Sequence, residues 1–181
     1  MDSVVIDNSL AQKNQHLADK IKNIKLVITD VDGVLTDTGI YYSPEGEIIK
    51  RFSIRDGMGV ERLRDLLGIE TIIITGENSG TVKSRAAKLK INEFYLGVKN
   101  KVEILELVKG KNHLSEENIA YIGDDSNDYE IMRKCGFTAT PSDGMSFIKE
   151  IADYVCEAKG GYGAFREVAE LIISLKLKNE K

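Results

Sequence analysis

Histidine is nearly missing from this 181-residue chain, which carries His16 and His113 only. Both lie in polar stretches, Asn14-Gln15-His16 and Lys111-Asn112-His113, and read as surface positions. A serine–histidine hydrolase or a histidine-rich metal site is therefore hard to build here. Cysteine is equally scarce. Cys135 and Cys156 are too few for a disulfide framework or a cysteine zinc site, and read as small buried hydrophobes. Long apolar runs are missing too. Stretches such as residues 72–74 are strand-sized, well short of the roughly 20 residues that cross a bilayer. The opening Met1-Asp2-Ser3 lacks the basic start and apolar stretch of a signal peptide, so a cytoplasmic protein is expected. Nor is there a basic excess: 25 Lys and Arg stand against 29 Asp and Glu, which argues against a nucleic-acid partner.

What remains is an ordinary soluble composition, 42% apolar and 30% charged, in a length that suits one domain with a real core. Residues 1–22 are polar, with a weak helical spacing at Leu10, Leu17 and Ile21, and are expected to form an N-terminal arm outside the core. Residues 23–181 then form a single domain. Residues 26–29 read as a buried strand running into Asp30. Two β-prone runs, 39–42 and 48–53, flank Ser43-Pro44-Glu45-Gly46 and predict a hairpin. Val60, Leu63, Leu66 and Leu67 have helical period. Strands near 71–74, 93–96, 118–122, 137–139 and 154–156 then alternate with helices near 81–89, 102–108, 129–135, 146–151 and 164–175. This alternation predicts an α/β fold, a Rossmann-like parallel sheet sandwiched by helices, with a small hairpin insertion. Ligands of such folds bind at the carboxyl ends of the strands.

Acidic residues occupy those ends. Asp30-Val31-Asp32-Gly33 follows the first strand, and residues two apart in an extended segment point the same way. Gly123-Asp124-Asp125-Ser126-Asn127-Asp128 follows the strand near 118–122. Brought together, these carboxylates repel one another unless a cation sits among them, and oxygen ligands without histidine or thiolate favour a hard ion such as Mg²⁺. Thr75-Gly76 ends another strand, where a hydroxyl and free N–H groups can hold a phosphate oxygen. Lys101 starts a helix, where its ammonium can meet an anion. Any one piece alone is an ordinary turn or helix cap. Four of them in one order, each at a strand end or helix start, exceed what chance supplies.

Asp30-Val31-Asp32-Gly33-Val34-Leu35-Thr36, Thr75-Gly76, Lys101 and the 123–128 cluster together resemble the haloacid dehalogenase superfamily of phosphatases. The resemblance implies that Asp30 is the nucleophile and Asp32 the general acid and base. Thr75 and Lys101 would hold the transferring phosphoryl group. Asp30, the Asp32 carbonyl and Asp124 would bind Mg²⁺, with Asp125 and Asp128 supporting that site. Only a hairpin and a helix separate Asp30 from Thr75, and only a helix and a strand separate Thr75 from Lys101, so neither gap holds a cap domain.

More closely, Ser53-Ile54-Arg55-Asp56-Gly57-Met58-Gly59 and Gly160-Gly161-Tyr162-Gly163-Ala164-Phe165-Arg166-Glu167 resemble the capless 3-deoxy-D-manno-octulosonate 8-phosphate phosphatases. That likeness implies a homotetramer acting on a small sugar-acid phosphate. Its hairpins would join subunits, and the segment with Gly160, Gly161, Gly163 and Arg166 would cover a neighbour's site. Ser53, Arg55, Asp56, Gly57, Gly76, Glu77, Arg85 and Lys88 become candidate substrate contacts. Glu77, where those enzymes typically have Arg, and Lys88 are closer to the related phosphatases of nine-carbon sugar acids, 2-keto-3-deoxynononate or N-acylneuraminate 9-phosphate. The non-enzymatic alternative is a phospho-acceptor domain like a response-regulator receiver. Motif order opposes it, because the Asp-x-Asp precedes Thr75 and a further acidic cluster follows Lys101.

Overall fold

A computed structural model describes residues 5–178. Six strands form one parallel sheet: β1 (Leu26–Thr29), β4 (Glu70–Ile74), β5 (Phe94–Tyr95), β6 (Ile119–Ile122), β7 (Phe137–Thr140) and β8 (Tyr154–Val155). Their order is β5-β4-β1-β6-β7-β8, and every pairing is parallel. β1 lies at the centre with all four residues buried, which is why it is apolar throughout rather than alternating. Ile28 pairs with Ile72 on one side and Tyr121 on the other.

Successive side chains of the strands feed two cores. Val27, Ile73, Ile122 and Phe137 join the core that includes α3 (Ile54–Leu67), α4 (Gly80–Lys88) and α8 (Ala164–Lys178). Leu26, Ile28, Ile72 and Tyr121 join the other, beneath α5 (Lys101–Asn112), α6 (Tyr129–Met132) and α7 (Ser146–Lys149). The sandwich predicted from the alternation is thus realised, with no cap domain. A separate antiparallel pair, β2 (Thr36–Ser43) and β3 (Gly46–Phe52), forms the expected hairpin, in which Ser43 pairs with Gly46 across the turn. Among the described residues no helix is long and apolar enough to cross a membrane.

Helix ends are set locally. Ser53 caps α3 by accepting from the Asp56 N–H at 3.3 Å, and Gly68 ends that helix at φ +64°, a conformation glycine adopts without Cβ strain. Asn100 caps α5 and so places Lys101 in its first turn.

The N-terminal arm departs from expectation. Residues 8–21 form α1 (Asn8–Lys13), a 3₁₀ turn (Gln15–Leu17) and α2 (Ala18–Ile21), and they are part of the core. Ala11 and Ile21 are fully buried and Leu17 nearly so, with both helices packed on α8. The weak apolar spacing of this segment is the trace of that packing.

Candidate active site

The sheet order reverses direction beside β1: the chain leaves β1 toward β4 on one side and leaves β6 toward β7 on the other. A crevice forms outside the carboxyl ends of strands at such a point. Asp30 follows β1 there, its N–H donating to the Ile122 carbonyl at 2.9 Å, and Asp124 stands two residues beyond β6. Gly33, at φ +91°, lets the two loops meet. A Cβ at this position would lie 1.9 Å from Asp124 Oδ2, so any side chain would displace Asp124.

Lys101 is the hub beneath the crevice. Its Nζ lies 3.1 Å from Asp30 Oδ1 and 2.6 Å from Asp128 Oδ1, and it donates to the Tyr121 hydroxyl at 3.3 Å. Tyr121 Oη in turn donates to Asp128 Oδ1 at 2.6 Å. The other Asp128 oxygen accepts from the N–H groups of Asp124, at 2.9 Å, and Asp125, at 3.3 Å. Asp128 is therefore saturated and shapes the 123–128 loop. Burial alone would lower the Lys101 pKa, but the Asp30 and Asp128 carboxylates outweigh it and raise it.

The remaining carboxylates are under strain. Burial, then the neighbouring Asp30, Asp128 and Asp125 charges, push Asp124 up to about 8. Burial and Asp128 push Asp30 up to about 7, against the pull of Lys101. Asp124 Oδ1 is buried without a hydrogen-bond partner, and oxygens of Asp30, Asp124 and Asp128 lie within 4.8 Å of one another. An orphaned buried oxygen in an all-oxygen donor set fits a hard divalent cation. Because Asp128 is already saturated, Asp30 and Asp124 are the carboxylates free to hold it.

Asp30, Asp32, Thr75, Gly76, Glu77 and Asp124 line one cavity of about 310 Å³. The five residues expected to carry chemistry thus converge, four at the cavity and Lys101 just beneath Asp30. A larger hollow of about 600 Å³, beside Arg62, Arg166 and Glu170, lies elsewhere, and ion pairs within it already join both arginines to Glu170.

The pattern of the haloacid dehalogenase-like hydrolases matches residues 93–163. The chain is 39% identical over 161 residues to the 3-deoxy-D-manno-octulosonate 8-phosphate phosphatase KdsC of Haemophilus influenzae, covering 88% of each chain. The chain belongs to the haloacid dehalogenase-like phosphatases. Its fold agrees. The Moraxella catarrhalis octulosonate 8-phosphate phosphatase, solved with magnesium ion, phosphate ion and KDO, superposes with a TM-score of 0.87 at 36% identity, covering 92% of this chain and 95% of that one. The cobalt-bound H. influenzae enzyme gives 0.85 at 39% identity, over 88% and 92%.

Other expected site residues of this phosphatase lie apart from the cavity. Asp56 is buried, and its carboxylate accepts from the N–H groups of Gly163, at 3.2 Å, and Arg166, at 2.9 Å, at the start of α8. It is an anchor for that helix, not a substrate contact within its own chain. Arg85 donates to the Ser53 carbonyl at 2.7 Å, and Gly57 makes room for it, since a Cβ there would lie 2.6 Å from its guanidinium. Lys88 is exposed on α4. Ser53 and Arg55 line a second hollow with Arg51 and Tyr162. The Gly160 segment is no free lid in the single chain. Gly161 N–H donates to the Val34 carbonyl at 2.9 Å, and a Cβ on Gly160 would sit 1.8 Å from the Gly33 carbonyl oxygen. Arg166 pairs with Glu170.

Two residues of the site carry no mark in the sequence. Tyr121 reads as one more apolar strand residue and Lys50 as one more charge on a hairpin, yet Tyr121 donates to Asp128 and Lys50 to Asp32.

Proposed function

We propose that this phosphatase hydrolyses the phosphomonoester of 3-deoxy-D-manno-octulosonate 8-phosphate, with Asp30 as nucleophile and Mg²⁺ as cofactor. The observation that carries this is the convergence of Asp30, Asp32, Thr75 and Asp124 on one cavity with the Lys101 ammonium 3.1 Å behind Asp30. The magnesium, phosphate and KDO held by the M. catarrhalis relative support the choice of ion and substrate class.

The Asp30 and Asp124 carboxylates and the Asp32 carbonyl would hold the cation, which when bound supplies positive charge against the phosphate and lets both carboxylates ionise. An ionised Asp30 needs no base to attack phosphorus. The bond from Asp30 oxygen to phosphorus forms as the bond from phosphorus to the sugar oxygen breaks, giving an aspartyl-phosphate. Asp32 gives its proton to the departing sugar oxygen, then takes one from the water that attacks the aspartyl-phosphate and returns Asp30 and free phosphate. The Thr75 hydroxyl, the N–H groups beside Gly76 and the Lys101 ammonium hold the phosphoryl oxygens through both steps.

The cavity is open in the single chain, so a homotetramer would complete it. The exposed Tyr41, Tyr42, Ile48 and Ile49 of the hairpin supply an apolar surface for that contact, and Ser53 and Arg55 would then serve a neighbour's site. Glu77 within the cavity favours a second reading, a nine-carbon sugar acid as substrate. Phosphate release from octulosonate 8-phosphate and from nononate 9-phosphate, each with Mg²⁺ and with chelator, tests both readings. We expect chelator-sensitive release with the larger kcat/KM on the eight-carbon ester; a larger value on the nine-carbon ester reverses the substrate assignment.

A further inference from the structure

Lys50 is the single buried residue of β3, on a hairpin whose other residues, Thr36 excepted, are partly or fully exposed. Its side chain is fully inaccessible, and its Nζ lies 2.6 Å from Asp32 Oδ2 and 3.6 Å from Glu47 Oε2. Burying an ammonium costs several kcal/mol unless it is paired and hydrogen-bonded, and here both partners are supplied. The hairpin thus reaches into the site with one cation, placed on the carboxylate to which the mechanism assigns proton transfer.

The contact is directional. Asp32 Oδ1 accepts from the Thr36 hydroxyl at 3.1 Å while Oδ2 accepts from Lys50, so both oxygens are fixed from the hairpin side. Each carboxylate oxygen keeps a further lone pair, and Asp32 lines the cavity. Glu47 ties the same ammonium to the next motif. Its Oε1 accepts from Ser79, the residue that caps α4, and from Thr81 Oγ1 at 3.0 Å. One chain of polar contacts therefore runs from Asp32 through Lys50 and Glu47 to the helix that follows Thr75 and Gly76.

We propose that Lys50 is a positioning residue for this reaction: it holds the Asp32 carboxylate at the angle needed to protonate the leaving oxygen, and through Glu47 it keeps that carboxylate in register with the Thr75 loop. The proposal rests on the functional reading above. Lys50 touches neither the phosphorus nor the nucleophile, and it acts only through Asp32.

Leaving-group dependence separates this role from general support of the fold. A sugar alkoxide needs a proton to depart, whereas p-nitrophenolate leaves as a stable anion. Single-turnover release of the alcohol from octulosonate 8-phosphate and the burst of p-nitrophenol from p-nitrophenyl phosphate are measured for the wild-type enzyme and Lys50→Met. General acid catalysis is worth about 10²–10⁴-fold, so misplacing the acid should slow sugar release roughly 30-fold more than it slows the nitrophenol burst, with KM for the sugar phosphate changed less than about threefold. Equal slowing of both, or slowing of neither, overturns the proposal. Should Lys50→Met fail to fold, Lys50→Arg carries the same comparison: its longer, forked head keeps the charge but moves the carboxylate, so a selective loss of several-fold supports the role and equal losses overturn it. A wild-type enzyme that releases phosphate from neither compound overturns the functional reading itself, which a wild-type active alongside an unaffected Lys50 variant does not.

Discussion

At the mouth of the central strands the charged groups are inside, whereas on the hairpin the apolar groups are outside. Asp30, Lys101 and Asp128 are at most 3% exposed, while Tyr41, Tyr42, Ile48 and Ile49 are between 51 and 66% exposed. Each arrangement is unfavourable by itself. Buried charges must be paired or completed by an ion, and a contiguous exposed apolar patch marks a surface that something covers. The first region calls for a small cation and an anionic substrate, the second for another protein surface. Lys50 is the exception that joins them, a buried charge carried by the exposed element.

The comparison is broken most severely at Asp30. Replacing it by Asn removes the proposed nucleophile while keeping its volume, and should reduce phosphate release by about 10⁴-fold or more with the circular dichroism spectrum unchanged. Substantial surviving turnover would mean that the buried charges are not the reacting ones.

A smaller effect, on stability, should follow from the missing counter-charge. The folded chain holds the Asp124 proton up to about pH 8, whereas the unfolded chain loses it near the ordinary carboxylate value. The unfolded state therefore gains by ionising first. The Asp124 contribution to the stability of the metal-free protein is fully present below about pH 4 and is lost as pH rises toward 8, by on the order of a few kcal/mol, the reverse of a salt-bridged aspartate. Urea unfolding in chelator from pH 5 to pH 8.5 should show this decline, and millimolar Mg²⁺ should flatten it. A metal-free protein that is more stable at pH 8.5 than at pH 5 would show that the carboxylates are not strained.

The smallest energetic change should come from the outer region. Ile49→Lys should lower the mass of the proposed homotetramer in sedimentation while changing the stability of the folded subunit by no more than about 0.5 kcal/mol, since the side chain is half exposed. An unaltered assembly would relocate the interface away from the hairpin.

The sequence announces these two regions unequally. Asp30, Thr75 and Asp124 are visible because a strand end fixes where a residue points, and an acidic residue after an apolar run is a local pattern. The parallel sheet and the hairpin are legible for the same reason: period and turn chemistry are short-range. Asp56 has the look of a local helix cap, yet its carboxylate bonds N–H groups more than 100 positions away. Leu17 and Ile21 sit in a polar stretch, and only the apolar face of α8, contributed by the opposite terminus, makes them interior. Lys50 is one cation among twenty-five Lys and Arg, and nothing in its neighbours tells that its partner is Asp32. Local rules report the reacting groups, while the groups that hold them in place are chosen by tertiary contact.

The clamp of Gly160 and Gly161 over the loop of Gly33 and Thr36 has a bearing on biosynthesis. All the proposed reacting groups are translated by residue 128, but the turn that follows Asp30 is closed by a stretch made some thirty residues later and held by Asp56 at the head of α8. A nascent chain on the ribosome, or a fragment ending early, would own the full set of reagents without the fastening that aligns them. The alignment of those groups thereby depends on the segment around Gly160 and Gly161.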